Sequence, residues 1–334
     1  MSAETDTLKL SYAYGTSPLT PTSLTEPLKT YLFGYPIAHS LAPLLHNTLF
    51  SALNTTWNYS LVESTNFDDF LPKLKADNCI GSAVTMPHKV NFISQVDDLT
   101  EEGRMIGAIN TIFLRLDAAG NKRYIGTNTD CIGIREAFLQ NHPDLLSRSA
   151  GKPAMIVGGG GACRSAVYTC WKWLGASQVY LVNRIPEEVT AIIDAFQAAG
   201  CPANIIHVAT LEQAQALEAP VVVIGTVPDF PPKEPGEILA RKIAEEFLQR
   251  DVQRAEGAVK GYVHEMCYHP HPITEFYKIS ENNGWAVIPG TEAMMHQGIA
   301  QQVLWAEKKL EEFPVDHAKA VIREALEKAR QGKH

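Results

Sequence analysis

The chain has no apolar run approaching the ~18 residues that carry a helix across a bilayer, so no membrane span is expected. It has no excess of basic charge: 29 Lys and Arg stand against 37 Asp and Glu, a net charge of −8. Neutralising a nucleic-acid backbone or an anionic lipid surface requires a basic face, so neither is expected as a partner. There is no Cys-x-x-Cys. The six cysteines (Cys79, Cys131, Cys163, Cys170, Cys201 and Cys267) are scattered over 334 residues. That pattern reads as reduced thiols of a cytoplasmic protein, not as a disulfide framework. The N-terminal residues Met1-Ser2-Ala3-Glu4-Thr5-Asp6 lack the apolar segment of a secretory leader. Internal repeats, low-complexity tracts and long runs of one charge are missing too.

What is present suits a globular chain of two domains. It is 45% hydrophobic and 20% charged, and long enough to bury a substantial core. Against the acidic background, an anionic substrate would have to be held by a few local donors.

Residues 1–27, rich in Ser, Thr and Pro, read as a loose N-terminal arm. Strands are expected at Tyr31–Gly34, Trp57–Val62, Cys79–Val84, Ala108–Leu116 and Arg123–Ile125, with a turn at Ala119-Gly120-Asn121. Helical spacing appears over Pro43–Leu53 and Phe67–Leu74. A second unit begins near Asp130. Its strands are expected at Ala154–Val157, Gln178–Val182, Ile205–Val208, Pro220–Ile224 and Gly261–Glu265, with a helix over Ala162–Leu174. Pro228–Pro235 reads as a proline-rich loop. The last stretches, Glu292–Trp305 and Asp316–Arg330, are helical. Alternating strands and helices imply an α/β fold. The domains are expected as 28–129 completed by 290–334, and 130–289.

Two features carry chemistry. The run Gly158-Gly159-Gly160-Gly161-Ala162-Cys163-Arg164 follows a strand and opens a helix. Glycines there let a pyrophosphate approach the helix N-terminus, where unpaired N–H groups point outward. The third glycine of the usual spacing is replaced by Cys163. Asn183 and Arg184 end the next strand, where the adenosine ribose is normally read. Arg184 would suit a 2′-phosphate, but Glu187 and Glu188 would oppose one, so NAD is favoured over NADP. The same glutamates also suit a helix start.

The second feature is Lys89, closing Val84-Thr85-Met86-Pro87-His88-Lys89, together with Asp130, closing Thr127-Asn128-Thr129-Asp130. Oxidising a secondary alcohol releases a hydride and a proton, and the proton needs a base. Burial favours the neutral form of an ammonium group and a neighbouring carboxylate opposes it, so either member of the pair could be the base. Ser40 could cap the helix that starts near Pro43. His264, His269 and His271 lack a coherent ligand pattern, and no metal site is expected. Trp171, Trp173 and Trp305 read as packing residues.

Taken together, the chain resembles the shikimate/quinate dehydrogenase family from about residue 31 to residue 305. The resemblance is carried by Gly34-x-Pro36-Ile37-x-His39-Ser40-Leu41-Ala42-Pro43, Val84–Lys89, Gly107-Ala108-Ile109-Asn110-Thr111, Asn128–Gly133, the Gly158 loop through Arg164, Asn183-Arg184, Tyr268, and Gly290 with Gln297. It implies a split N-terminal substrate-binding α/β domain, a Rossmann-type dinucleotide domain and a site in the cleft between them. It also implies roles. Ser40 would donate to a substrate carboxylate, while Lys89 and Asp130 flank the hydroxyl being oxidised. Thr85, Asn110 and Gln297 would bind ring hydroxyls. Tyr268 would lie by cofactor and substrate, Gly290 by the nicotinamide, and Gly158, Gly160, Gly161, Ala162, Asn183 and Arg184 along the dinucleotide.

Three positions depart from the family pattern: Ala42 replaces a serine, Ala83 an asparagine and Ala293 a methionine. Ala42 bears on whether quinate or shikimate is preferred. The expectation is a quinate dehydrogenase using NAD, acting on a cyclohexane or cyclohexene carboxylate as a monomer or homodimer. The alternatives are an NADP-dependent shikimate dehydrogenase and a non-catalytic metabolite sensor. A sensor would be expected to have lost the lysine, the aspartate or the glycine loop, and all three remain.

Overall fold

The computed structural model describes residues 3–251, 258–269 and 271–331. It divides into two compact units, Met1–Ile132 with Met294–His334 and Gly133–Ala293. Each carries a six-stranded sheet, and the α/β architecture is the expected one. Among the described residues no helix is long and apolar enough to cross a membrane.

In the first unit the strands are β1 (Lys29–Gly34), β2 (Asn58–Glu63), β3 (Cys79–Val84), β4 (Asp98–Leu99), β5 (Thr111–Leu116) and β6 (Lys122–Thr127), in the order β2-β1-β3-β5-β6-β4. β1 is parallel to β2 and β3, and β5 is antiparallel to β3 and β6. β3 is buried at every residue, as a nearly continuous apolar strand covered on both faces should be. Phe33, Phe70, Phe92, Ile109 and Ile112 pack in one core cluster. Trp305, from the helix Gly290–Ala306, is buried and donates through Nε1 to the Ile112 carbonyl at 2.9 Å.

This topology places the motifs. β3 runs out into Thr85–Lys89 and β6 runs out into Asn128–Asp130. Asn110 stands just ahead of β5, the strand between them. Its carbonyl accepts from Val84 N at 2.8 Å, and its own N–H donates to Thr127 O at 3.1 Å. The two chemistry-bearing segments are thus stitched to opposite sides of one residue.

Several local expectations change. Residues 1–27, expected as a loose arm, are packed over their described part. A helix spans Ala3–Ser11, Thr16 bridges Leu116, and Trp57 Nε1 donates to Ser23 O at 2.7 Å. The buried Arg115 guanidinium donates to Ser11 Oγ and pairs with Glu307 at 3.0 Å. Such anchors are distant in sequence, so local patterning does not reveal them. The expected helix Phe67–Leu74 is a 3₁₀ turn, Phe67–Asp69, followed by a single turn, Leu71–Leu74. Asn66 caps the first piece and Pro72 sits in the first turn of the second. The strand expected from Ala108 begins only at Thr111, because Ile109 N donates to Lys89 O at 2.7 Å rather than joining the ladder.

In the second unit β7 (Ala154–Val157), β8 (Val179–Val182), β9 (Ile205–His207), β10 (Val222–Gly225), β11 (Tyr262–Glu265) and β12 (Ala286–Pro289) form an all-parallel sheet in the order β12-β11-β10-β7-β8-β9. The sequence reading missed β12 and the helices Pro235–Gln249 and Glu275–Asn282. Strand order reverses between β7 and β10. Open parallel sheets bind ligands outside the carboxyl ends of the strands at such a switch point. The glycine loop leaves β7 there, and Gly225-Thr226 leave β10 beside it.

Candidate active site

In the first unit the folded chain gathers Lys89, Asp130, Asn110 and Gln297 into one polar nest. Lys89 Nζ donates to Asp130 Oδ2 as an ion pair, with side chains 17% and 10% exposed. Asn110 Nδ2 donates to Asp130 Oδ1 at 2.9 Å, to Thr129 Oγ1 at 3.0 Å and to Gln297 Oε1 at 3.2 Å. The orientation of the Asn110 amide is fixed, because its Oδ1 accepts from the Thr129 backbone N–H at 2.7 Å. Both oxygens of Asp130 therefore face donors, a nitrogen of Lys89 on one side and of Asn110 on the other.

The other residues of this unit expected on the substrate side have local partners of their own. Thr85 lies at the exit of β3, where its carbonyl accepts from His88 N at 2.8 Å. Its methyl group packs on Gly34, so closely that a Cβ there would fall 2.4 Å from it. Tyr35 N donates to Met86 O at 2.9 Å, which fastens the end of β1 to the lysine segment. His88 is buried, stacks on Phe33 at 4.3 Å and lies 3.1 Å from Ser64 O through Nε2. Ser40 is engaged locally: its Oγ accepts from Ala42 N at 3.2 Å, which leaves the hydroxyl proton available. Ala42 is buried at the start of the helix Ala42–Ala52.

In the second unit the glycine loop fits a dinucleotide. Gly158 has φ of +135°, and a Cβ there would sit 2.1 Å from Thr226 Oγ1. The β7 and β10 exits therefore meet only because Gly158 has no side chain. At Gly160 a Cβ would meet nothing within 4 Å. The helix Gly161–Lys172 that follows has no side-chain cap, so its first N–H groups, including those of Gly161 and Ala162, are left for an outside acceptor. Asn183 Nδ2 donates to Glu188 Oε2 at 2.6 Å and to Ile185 O at 3.1 Å. Arg184 pairs with Glu237, whose carboxylate also accepts from Lys233 N and Glu234 N. Those backbone bonds, with Arg184, hold the Glu237 carboxyl below its ordinary range.

At the far side of this sheet Tyr268 is half-buried beyond β11. Gly290 closes on the same segment, since a Cβ there would lie 2.2 Å from Met266 O. The sequence reading passed over Glu265, the last residue of β11. It is buried, and Cys267 N donates to its Oε1 at 2.9 Å. Burial pushes its carboxyl up to about 8. The signal was there: an acid inside an otherwise apolar strand run. His264, in the same strand, is a buried imidazole lowered to about 4 by burial, with Nδ1 3.3 Å from Ile288 O. His269 and His271 are exposed beyond it, and Pro270 lies outside the described residues. Among the described residues no group of three His, Cys, Asp or Glu could hold a metal ion.

Residues 32–112 match the shikimate dehydrogenase substrate binding domain. A quinate dehydrogenase of Emericella nidulans is 40% identical over 310 residues, which cover 89% of this chain and 93% of that protein. The dehydroquinate dehydratase and shikimate dehydrogenase of S. pombe AroM superposes with a TM-score of 0.70 at 26% identity, covering 95% of this chain and 56% of that longer one. The quinate dehydrogenase of Corynebacterium glutamicum in complex with NAD gives 0.69 at 18% identity, covering 89% of this chain and 99% of that one. Another similar fold was solved in complex with NADP+. The chain belongs to the shikimate/quinate dehydrogenase family. It is an oxidoreductase that acts on a hydroxyl group with a nicotinamide dinucleotide.

Proposed function

We propose that the protein oxidises the ring 3-hydroxyl of quinate to 3-dehydroquinate, reversibly and with NAD, and that shikimate can enter the same site. The observation that carries this reading is the Lys89–Asp130 pair held by Asn110 and Gln297, in a chain so similar to the Emericella enzyme. A bound nicotinamide supplies the hydride acceptor. Everything else is work for the chain's own side chains. Lys89 and Asp130 face the reacting hydroxyl, and the Lys89 amine or the Asp130 carboxylate takes its proton. Asn110, Thr85 and Gln297 bind neighbouring ring hydroxyls, so the reacting carbon is held in one orientation. Ser40 donates to the substrate carboxylate. Tyr268 and Gly290 border the nicotinamide end, while Gly158, Gly160, Gly161 and Ala162 take the pyrophosphate.

Three features favour NAD. Arg184, the nearest cation to the end of β8, is engaged by Glu237. Glu188 turns back onto Asn183. Glu187 is exposed at the start of the following helix. A 2′-phosphate would meet three carboxylates for one arginine. Ala42 favours quinate, whose extra hydroxyl on the carboxylate-bearing carbon needs the room that a serine would take. None of the six cysteines is in a disulfide, which suits a reducing cytoplasm. A monomer or a homodimer would serve equally, since the proton-handling residues come from one chain.

A steady-state matrix of quinate and shikimate against NAD and NADP tests the reading. The highest kcat/KM is expected for quinate with NAD. A higher value for shikimate with NADP would overturn both preferences.

A further inference from the structure

Behind the reacting pair lies a set of buried polar side chains that the mechanism above does not use. His46 is fully buried in the helix Ala42–Ala52, stacked on Tyr59 at 4.2 Å. Gln301 and Gln302 are buried on the helix Gly290–Ala306. Thr111 is buried at the start of β5. Gln301 Nε2 donates to Thr111 Oγ1 at 2.9 Å, and Thr111 Oγ1 donates to Asn110 Oδ1 at 2.8 Å.

The direction of each bond is fixed by the next. Gln302 Nε2 lies 3.3 Å from the His46 carbonyl, which can only accept, so the same nitrogen also donates to His46 Nδ1 at 2.9 Å. His46 therefore carries its proton on Nε2. Burial presses the ring down to about 3, so it is neutral. His46 Nε2 and Gln301 Oε1 are buried without a hydrogen-bond partner of their own. Gln301 Nε2 also lies 3.4 Å from the Asn110 carbonyl, which can only accept, so Gln301 presents nitrogen to Thr111. Thr111, receiving that proton, spends its own on Asn110 Oδ1. Asn110 is then left with both amide protons for Asp130, Thr129 and Gln297. A flipped Gln301 would reverse Thr111 and leave Thr129 as the sole donor to Asn110 Oδ1, through its backbone N–H and its hydroxyl.

We propose that Gln301 is a positioning residue for the oxidation step, acting through Thr111 and Asn110 to keep an amide N–H on Asp130. It never touches substrate. Its effect falls on the orientation of the carboxylate that pairs with Lys89. The proposal rests on the dehydrogenase reading above.

Gln301→Met removes the amide at nearly constant volume, and Thr111→Val removes the hydroxyl at constant shape. Each is expected to lower kcat about tenfold with KM for the ring substrate within about twofold, as misoriented catalytic groups do. The double variant should lose no more than either single, because the two act in one chain. Thr111→Ser should restore kcat to within about twofold of wild type, and Tm measured alongside reports packing losses. If Gln301→Met does not fold, Thr111→Val carries the test alone, since it breaks the same chain one bond further on. Variants that lose Tm but keep wild-type kcat would overturn the proposal and leave only a packing role. Losses that multiply in the double variant would overturn the chain. A wild type that turns over neither quinate nor shikimate would refute the underlying reading instead.

Discussion

The two units build their halves of the chemistry from opposite materials. In the first, side chains hold side chains: Lys89, Asp130, Asn110, Thr129 and Gln297 are donors and acceptors to one another. In the second, the decisive groups are backbone and missing side chains. Gly158 clears the way for Thr226, Gly160 opens on free space and an uncapped helix presents its N–H groups. Their buried acids differ in the same way. Asp130 has a cation on one oxygen and an amide on the other. Glu265 has the backbone N–H and the thiol of Cys267 beside it instead of a cation. A site for a small polyhydroxylated ring needs many directed hydrogen bonds. A site for a pyrophosphate needs room and a positive backbone end.

Adding a side chain where the second unit depends on having none should damage that unit's half of the contrast most. Gly158→Ala meets both a φ of +135° and a 2.1 Å approach to Thr226 Oγ1, a strain of roughly 1–3 kcal/mol. KM for NAD should rise at least about tenfold, while KM for quinate stays near the wild-type value. Stopped-flow or steady-state titration of each substrate separates the two. An unchanged KM for NAD would show that the loop tolerates a side chain.

The contrast between the acids is sharpened by pH. The folded protein holds the Glu265 proton up to about 8, whereas the unfolded chain releases it near ~4.3. Raising the pH through that window favours the unfolded chain, so the stability contributed by protonated Glu265 is lost on the way to about 8. Glu265→Gln keeps the shape and the acceptor for Cys267 N but has no proton to lose. Its Tm should fall less than that of the wild type between about pH 5 and 8. Parallel Tm curves for the two proteins would show that Glu265 is ionised in the fold.

The smallest change concerns the first unit. Ala42→Ser adds a hydroxyl beside Ser40. One hydrogen bond to a charged group is worth roughly 1.5–3 kcal/mol, part of which quinate recovers through its own hydroxyl or a water. The ratio of kcat/KM for shikimate over quinate should rise about tenfold or less. An unchanged ratio would remove position 42 from substrate choice.

The same contrast explains what could be read from the sequence. Side-chain chemistry leaves letters: Lys89, Asp130, Asn110 and Gln297 stand in motifs, and the structure brings these four together. The strands β3, β7 and β8 were legible because buried strands are short apolar runs bounded by turns. Gln301 left a fainter trace, four residues after Gln297 on one helix face, and went unread. The packing of residues 3–27 could not be read at all, because it depends on Arg115, Leu116 and Trp57 far along the chain. The short pieces at Phe67–Leu74 were misjudged because apolar spacing does not show where a cap and a proline divide a helix.

The central claim is that Lys89, paired with Asp130, manages the proton of the hydroxyl being oxidised. Lys89→Ala tests it most directly, with quinate turnover and NADH binding measured on the same preparation. The account predicts a kcat lower by ~10²–10⁴, the usual cost of losing a general base, with NADH affinity and Tm close to wild type. A variant that keeps near wild-type kcat would contradict it and leave the proton to Asp130 alone.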